Sequence, residues 1–124
     1  MNDEIREEEE EFSEQETVEN GELSEISELS KRGYQLLKEN LISDAEDCFQ
    51  QILEKDPINN YALVGMGDSA RKRGDCRTAI IYYQKCLDVF EENNYALFGL
   101  ADCYKALKQY NHAIKIWERY LKHD

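Results

Sequence analysis

The sequence predicts an all-α protein: a short array of paired helices preceded by a disordered acidic tail. Three observations carry this reading. The stretch Asn60 to Asp68, NYALVGMGD, returns as NYALFGLAD at Asn94 to Asp102, an offset of 34 residues. Within it, from Leu63 to Ala70, apolar or small residues recur at steps of three and four, which is the helical period. Charge is also unevenly spread: residues 1–25 hold 12 acids against the single base Arg6, whereas residues 26–124 hold 15 acids and 14 bases. The net charge of −12 therefore belongs almost wholly to the N-terminal segment.

That segment, residues 1–25, offers only Ile5, Phe12, Val18 and Leu23 as sizeable apolar side chains besides Met1, separated by runs such as Glu7 to Glu11. So little apolar surface cannot offset the entropy of ordering, and disorder is the expectation. The start has no basic region leading into an apolar run, and nowhere do 18 apolar residues stand together, so neither an export signal nor a membrane span is expected. The four cysteines, Cys48, Cys76, Cys86 and Cys103, are separated by 28, 10 and 17 residues and accompanied by only two histidines. That is not a zinc-binding pattern, and no metal or cofactor is expected. Without export signals the thiols should stay reduced, which places the chain in the cytoplasm.

The ordered part divides into three units, 26–59, 60–93 and 94–124. Leu29 corresponds to Leu63 and Leu97, Gly33 to Gly67 and Ala101, Ala45 to Ala79 and Ala113, and Phe49 to Tyr83 and Trp117. In the first unit, Ser43-Asp44-Ala45-Glu46 has the capping-box form that starts a helix, and Asp56-Pro57 closes the unit. In the second, Asn60 is the expected N-cap and Gly74 the left-handed residue that ends the first helix. In the third, Asn94 is the expected N-cap. Small residues at Ala45, Ala79 and Ala113 permit close helix contact, with an aromatic ring four positions on. An ordinary helical bundle would share the period but not the fixed offset.

Taken together, Leu63, Met66-Gly67, Ala70, Gly74-Asp75, Ala79-Ile80, Tyr83 and Cys86-Leu87 resemble the tetratricopeptide repeat family, whose 34-residue unit is a pair of antiparallel helices. Departures are Ala70 where a tyrosine is common, Lys108 for the turn glycine, and an Asp-Pro ending in the first copy only. The resemblance implies an α-solenoid of about three repeats and six helices, a right-handed superhelix with the disordered tail ahead of it. It also implies that the first helix of each repeat lines a concave groove. The residues so placed are Ser27, Ser30, Tyr34 and Leu37, then Tyr61, Val64, Asp68 and Arg71, then Tyr95, Phe98, Asp102 and Lys105. Such a groove would receive an extended peptide or a partner helix. Gly65 and Gly99 would let a ligand backbone approach, and Asp68 with Asp102 would favour a partner carrying basic residues. Tyr61, Tyr95 and Phe98 can equally be packing residues, and the two acids a solvated face. Some members of the family grip the C-terminal carboxylate of heat-shock chaperones with lysine, asparagine and arginine. Here Ser30, Tyr34, Gly65, Asp68, Tyr95 and Gly99 stand in those places, so no such grip is expected.

The cluster Arg71, Lys72, Arg73 and Arg77 invites a nucleic-acid reading, but the near-neutral repeat region and the acidic tail oppose phosphate, and a solvated turn is the better account. Charge complementarity would also let the tail fold back onto that cluster. Past Ile114, Trp117 and Leu121 the array lacks a polar cap, so the chain is expected either to continue in a longer protein, to pair with another copy or partner through this face, or to cover it with the tail. No nucleophile stands beside a plausible base and no glycine-rich loop follows a strand, so no enzyme is expected. The functional expectation is a scaffold or adaptor that binds a protein or peptide, without nucleic acid or membrane. The alternative is a self-assembly or regulatory module, or the N-terminal part of a larger protein.

Overall fold

A computed structural model describes the backbone of residues 14–122 and the side chains of residues 21–122. It holds six helices: α1 (Glu14–Lys38), α2 (Ile42–Lys55), α3 (Asn60–Lys72), α4 (Cys76–Val89), α5 (Asn94–Ala106) and α6 (Tyr110–Lys122), with no strand among the described residues. They pair as α1 with α2, α3 with α4 and α5 with α6, and each pair packs on the next through α2 on α3 and α4 on α5. The odd-numbered helices also touch in succession, α1 on α3 and α3 on α5, so they form one shared face. This is the expected three-repeat solenoid.

All three hairpin turns are closed in the same way. The backbone N–H groups of Leu41, Asp75 and Gln109 donate to the carbonyls of Leu36, Ala70 and Tyr104 at 2.9, 2.9 and 2.8 Å, bonds that recur at the 34-residue offset. Each bond needs a left-handed residue just before it, and Asn40 (φ 62°), Gly74 (φ 81°) and Lys108 (φ 63°) supply it. The lysine that departs from the family pattern thus adopts the glycine conformation, at some steric cost.

Between repeats, the packing unit is a ring held between two glycines. Phe49 on α2 is fully buried, and a Cβ added at Gly33 or Gly65 would stand 2.6 or 2.5 Å from its Cε1. One repeat on, Tyr83 on α4 sits in the same way against Gly67 and Gly99. Each ring thereby meets the first helix of its own repeat and the first helix of the next. Gly65 and Gly99 are consequently filled from the protein side, and the expectation that a ligand backbone approaches there is corrected. In the last repeat Ala101 carries the methyl group that its counterparts lack, and the ring there, Trp117, is only partly buried.

Two further expectations shift. The N-caps are Asn59 and Asn93, one residue earlier than read, with their Oδ1 atoms accepting from Ala62 and Ala96 N–H at 3.0 Å each. The capping box at Ser43 does not form: α2 begins behind Leu41 without a side-chain cap, and Ser43 and Glu46 instead both accept from Arg73 of the next repeat. The first helix, α1, begins at Glu14, within the segment read as the acidic tail. Glutamates are good helix formers and favour the N-terminal end of the dipole, and the Lys55 ammonium holds Glu25 at 2.7 Å. Phe12, Ile5 and the run Glu7 to Glu11 lie outside the described residues.

Candidate partner-binding groove

The shared face of α1, α3 and α5 carries two adjoining cavities. The first, of about 390 Å³, is lined by Tyr34, Asn60, Tyr61, Val64, Asp68, Asn93 and Tyr95. The second, of about 470 Å³, is lined by Asp68, Arg71, Asn94, Tyr95, Phe98 and Tyr120. Asp68 and Tyr95 belong to both, so the two form one groove running across the repeats. Large apolar rings line it in the open: Tyr61 is 59% exposed, Tyr95 77% and Phe98 43%.

Under this floor lies a hydrogen-bonded network that spans the second and third repeats. The Tyr83 hydroxyl donates to Asp68 Oδ1 at 2.5 Å and accepts from Arg71 Nε at 3.1 Å. The Arg71 guanidinium donates in turn to Asp102 Oδ2 at 3.0 Å and to Asp68 Oδ1 at 3.4 Å. Burial raises the Asp68 carboxyl above its ordinary value, against the downward pull of the Tyr83 hydrogen bond and the Arg71 charge. Burial and the nearby Asp68 likewise raise the Tyr83 phenol. Tyr34 donates to the Tyr61 carbonyl at 2.6 Å and packs edge-on against Phe49, with ring centroids 5.0 Å apart. At the other end Phe98 meets Trp117 edge-on at 5.3 Å and Tyr120 at 6.1 Å, and Arg71 lies 5.9 Å from its ring centre.

Of the residues expected in the groove, Tyr34, Tyr61, Val64, Asp68, Arg71, Tyr95 and Phe98 line the cavities, while Asp102 joins through Arg71. Leu37 does not: it is buried in the α1–α2 core with Phe49 and Ile52, because it turns toward its own hairpin partner. Lys105 is exposed and borders neither cavity. The picture of two bare acids is corrected as well, since Arg71 bridges them. Of the basic cluster, Arg71 is bonded to Asp68 and Asp102 and Arg73 to Glu46, while Lys72, Arg73 and Arg77 are exposed around the turn. At the far end Ile114 and Leu121 are exposed by 54% and 63%, whereas Trp117 turns in toward Phe98. Sequence reasoning missed Asn60, Asn93, Asn94 and Tyr120. The caps looked purely structural, and Tyr120 lies on a second helix, which the first-helix rule leaves out. Among the described residues no group of histidine, cysteine or acidic side chains is placed to hold a metal, and no helix is long and apolar enough to cross a membrane.

Comparison with known proteins places this geometry. The structure resembles that of the first TPR of Spaghetti (RPAP3) bound to the HSP90 peptide SRMEEVD, with a TM-score of 0.76, 18% identity and 80% of each chain covered. It also resembles the TPR domain of Arabidopsis FLU, with a TM-score of 0.71, 24% identity, and 82% of this chain and 96% of that chain covered. A tetratricopeptide repeat protein from Parabacteroides merdae gives a TM-score of 0.70 at 22% identity, covering 82% of this chain and 41% of that one. Among curated proteins none matches the sequence significantly. The sequence pattern described as "Tetratricopeptide repeat" matches residues 61–92 and 95–124, half of the chain. With three hairpins closed by the same bond at the family's own period, the chain belongs to the tetratricopeptide repeat family.

Proposed function

We propose that this protein is a non-catalytic scaffold or adaptor whose groove across α1, α3 and α5 binds an extended peptide or a helix of a partner protein. The observation that carries the reading is the exposure of Tyr61 and Tyr95 along one continuous concave surface. Rings of this kind, held on rigid helices and left open, supply contact area at low entropic cost. That a solved relative of the fold holds a chaperone peptide supports peptide binding in general. The acidic end of such a peptide does not suit this groove, because its lining offers Arg71 as the cation and Arg71 is already bonded to Asp68 and Asp102. A partner with basic residues suits it better. Four unpaired thiols fit a reducing compartment, and the proposed setting is the cytoplasm.

The test is capture of partners from source lysate by the intact chain and by the Tyr61→Ala, Tyr95→Ala variant. Both rings are exposed, so the fold should survive their removal, whereas Phe98 also packs on Trp117 and Tyr120. Partners lost with the variant support the groove, and an unchanged set refutes it. Micromolar binding of a chaperone-tail peptide ending in acidic residues would overturn the electrostatic part. The exposed Ile114 and Leu121 favour a second reading, self-association through α6, which light scattering of a monomer at high concentration would remove.

A further inference from the structure

The groove's first cavity has a chemistry of its own. Tyr34, Tyr61 and Tyr95 stand around it, Asp68 contributes a carboxylate, and no cationic side chain lines it. The carboxylate is only half used: the hydrogen bonds from Tyr83 and Arg71 both go to Oδ1. Oδ2 accepts no hydrogen bond from any described residue, and the Asp68 side chain, which borders both cavities, keeps 25% of its exposure. An accessible carboxylate oxygen thus lies at the meeting point of the two cavities, with aromatic rings beside it. Arg71, the cation that could satisfy it, points instead to Oδ1, to Tyr83 and to Asp102.

We infer that this cavity is the anchor pocket for a cationic side chain, an arginine or lysine of the bound segment, whose head donates to Asp68 Oδ2 against the faces or edges of the tyrosines. The inference rests on the groove reading and names its specificity. Three physical terms point the same way. A guanidinium or ammonium meets its acceptor in a charge-assisted hydrogen bond, stronger than a neutral one. Aromatic rings attract cations through their quadrupoles, and arginine is the commoner partner. Finally, burial disfavours the charged form of Asp68, and an arriving cation offsets that cost, which an apolar or acidic guest cannot do. The chain's own Glu7 to Glu11 is excluded as occupant by the same argument, because it would set further carboxylates against an anionic pocket.

The experiment uses the full chain, labelled with 15N, titrated with N-acetyl-arginine amide, N-acetyl-lysine amide, N-acetyl-norleucine amide and N-acetyl-glutamate amide. Norleucine keeps the four-carbon chain of lysine without its ammonium group. The expected result is saturable amide shifts centred on Tyr34, Tyr61 and Tyr95 with the two cations, at an affinity about tenfold or more above norleucine, and none with glutamate. Asp68→Asn should abolish the preference, and Tyr95→Ala should weaken it. The second variant guards against a folding defect in the first, because Tyr95 is 77% exposed. Equal shifts from norleucine, or shifts centred elsewhere, overturn the inference.

An array of decapeptides separates this from the broader proposal. Peptides retained by the intact chain, lost with Tyr61→Ala, Tyr95→Ala, and indifferent to exchanging their lysines and arginines for norleucine uphold the groove and overturn the cationic anchor. Retained peptides that fail on that exchange support both. No retained peptide with a silent titration overturns both, and no retained peptide with a cation-specific titration supports the pocket while removing its role in holding a longer segment.

Discussion

Replacing Tyr83 by phenylalanine should cost about 2 kcal/mol, a figure that follows from what the hydroxyl does and from what the ring does not need. The ring is fully buried between Gly67 and Gly99. Phe49 occupies the equivalent seat between Gly33 and Gly65, also fully buried, so a bare phenyl ring fits this site without a cavity. Only the hydrogen bonds are lost: one to Asp68 at 2.5 Å and one from Arg71 at 3.1 Å. Hydrogen bonds to charged groups contribute about 1.5–3 kcal/mol each. The Asp68 and Arg71 side chains keep 25% and 30% of their exposure and retain one another, so water replaces part of the loss. Urea unfolding of wild type and variant, with equal m-values, reads the difference directly. A loss below about 0.5 kcal/mol would mean that the network adds nothing beyond the packing of the ring. A double-mutant cycle with Asp68→Asn should then show coupling, and strict additivity would place the effect elsewhere.

Gly99→Ala should destabilise by about 1–3 kcal/mol, because the added methyl group collides with the Tyr83 ring and overpacking outweighs the gain in helix propensity. Gly21→Ala, also within a helix but with nothing near its added methyl group, should stabilise by up to about 1 kcal/mol, so thermal melting of the two should move in opposite directions. Lys108→Gly should stabilise by up to about 1 kcal/mol in urea unfolding by relieving a left-handed lysine, and a loss of stability would show that its side chain matters more than its backbone. The raised Asp68 carboxyl means that its ionisation costs the folded state. Its contribution to stability is therefore present below the ordinary value of 3.8 and lost as pH rises through the raised folded value. Relative to Asp68→Asn, the wild type should lose stability as pH rises across that window, and a relative gain would contradict the burial argument.

The repeat was legible because its offset is a fact of the sequence: matching Leu63 with Leu97 and Gly67 with Ala101 needs no geometry, and the period of three and four residues fixes which face is buried. The first-helix rule then placed Tyr34, Tyr61, Asp68, Tyr95 and Phe98 on the groove. It failed at Leu37, whose position is equivalent to that of Arg71 but whose apolar side chain is drawn into its own hairpin. It failed at Gly65 and Gly99 for a different reason. A glycine on a helix signals close approach without saying by what, and here rings from the preceding repeat fill the space. Partners distant in sequence were the least legible. Arg71 with Asp102, and Arg73 with Ser43 and Glu46, are 27–31 residues apart, and nothing in either local pattern announces the other. Asn59 was displaced by one residue only because two adjacent asparagines offered the same cap.

Both of those long-range ties start from the end of α3. Arg73 reaches back into the first repeat and Arg71 forward into the third, while the Phe49 and Tyr83 rings make the same two junctions from the other side. Treated as a one-dimensional chain of coupled units, the molecule is bound at its middle link and loosest at its two ends. An end repeat can open by breaking one junction, whereas the middle one can open only by breaking two. Amide exchange should accordingly be slowest in α3 and α4, with α1 and α6 exchanging through separate local openings. A ligand lying along the groove would span all three links and turn three semi-independent units into one cooperative body.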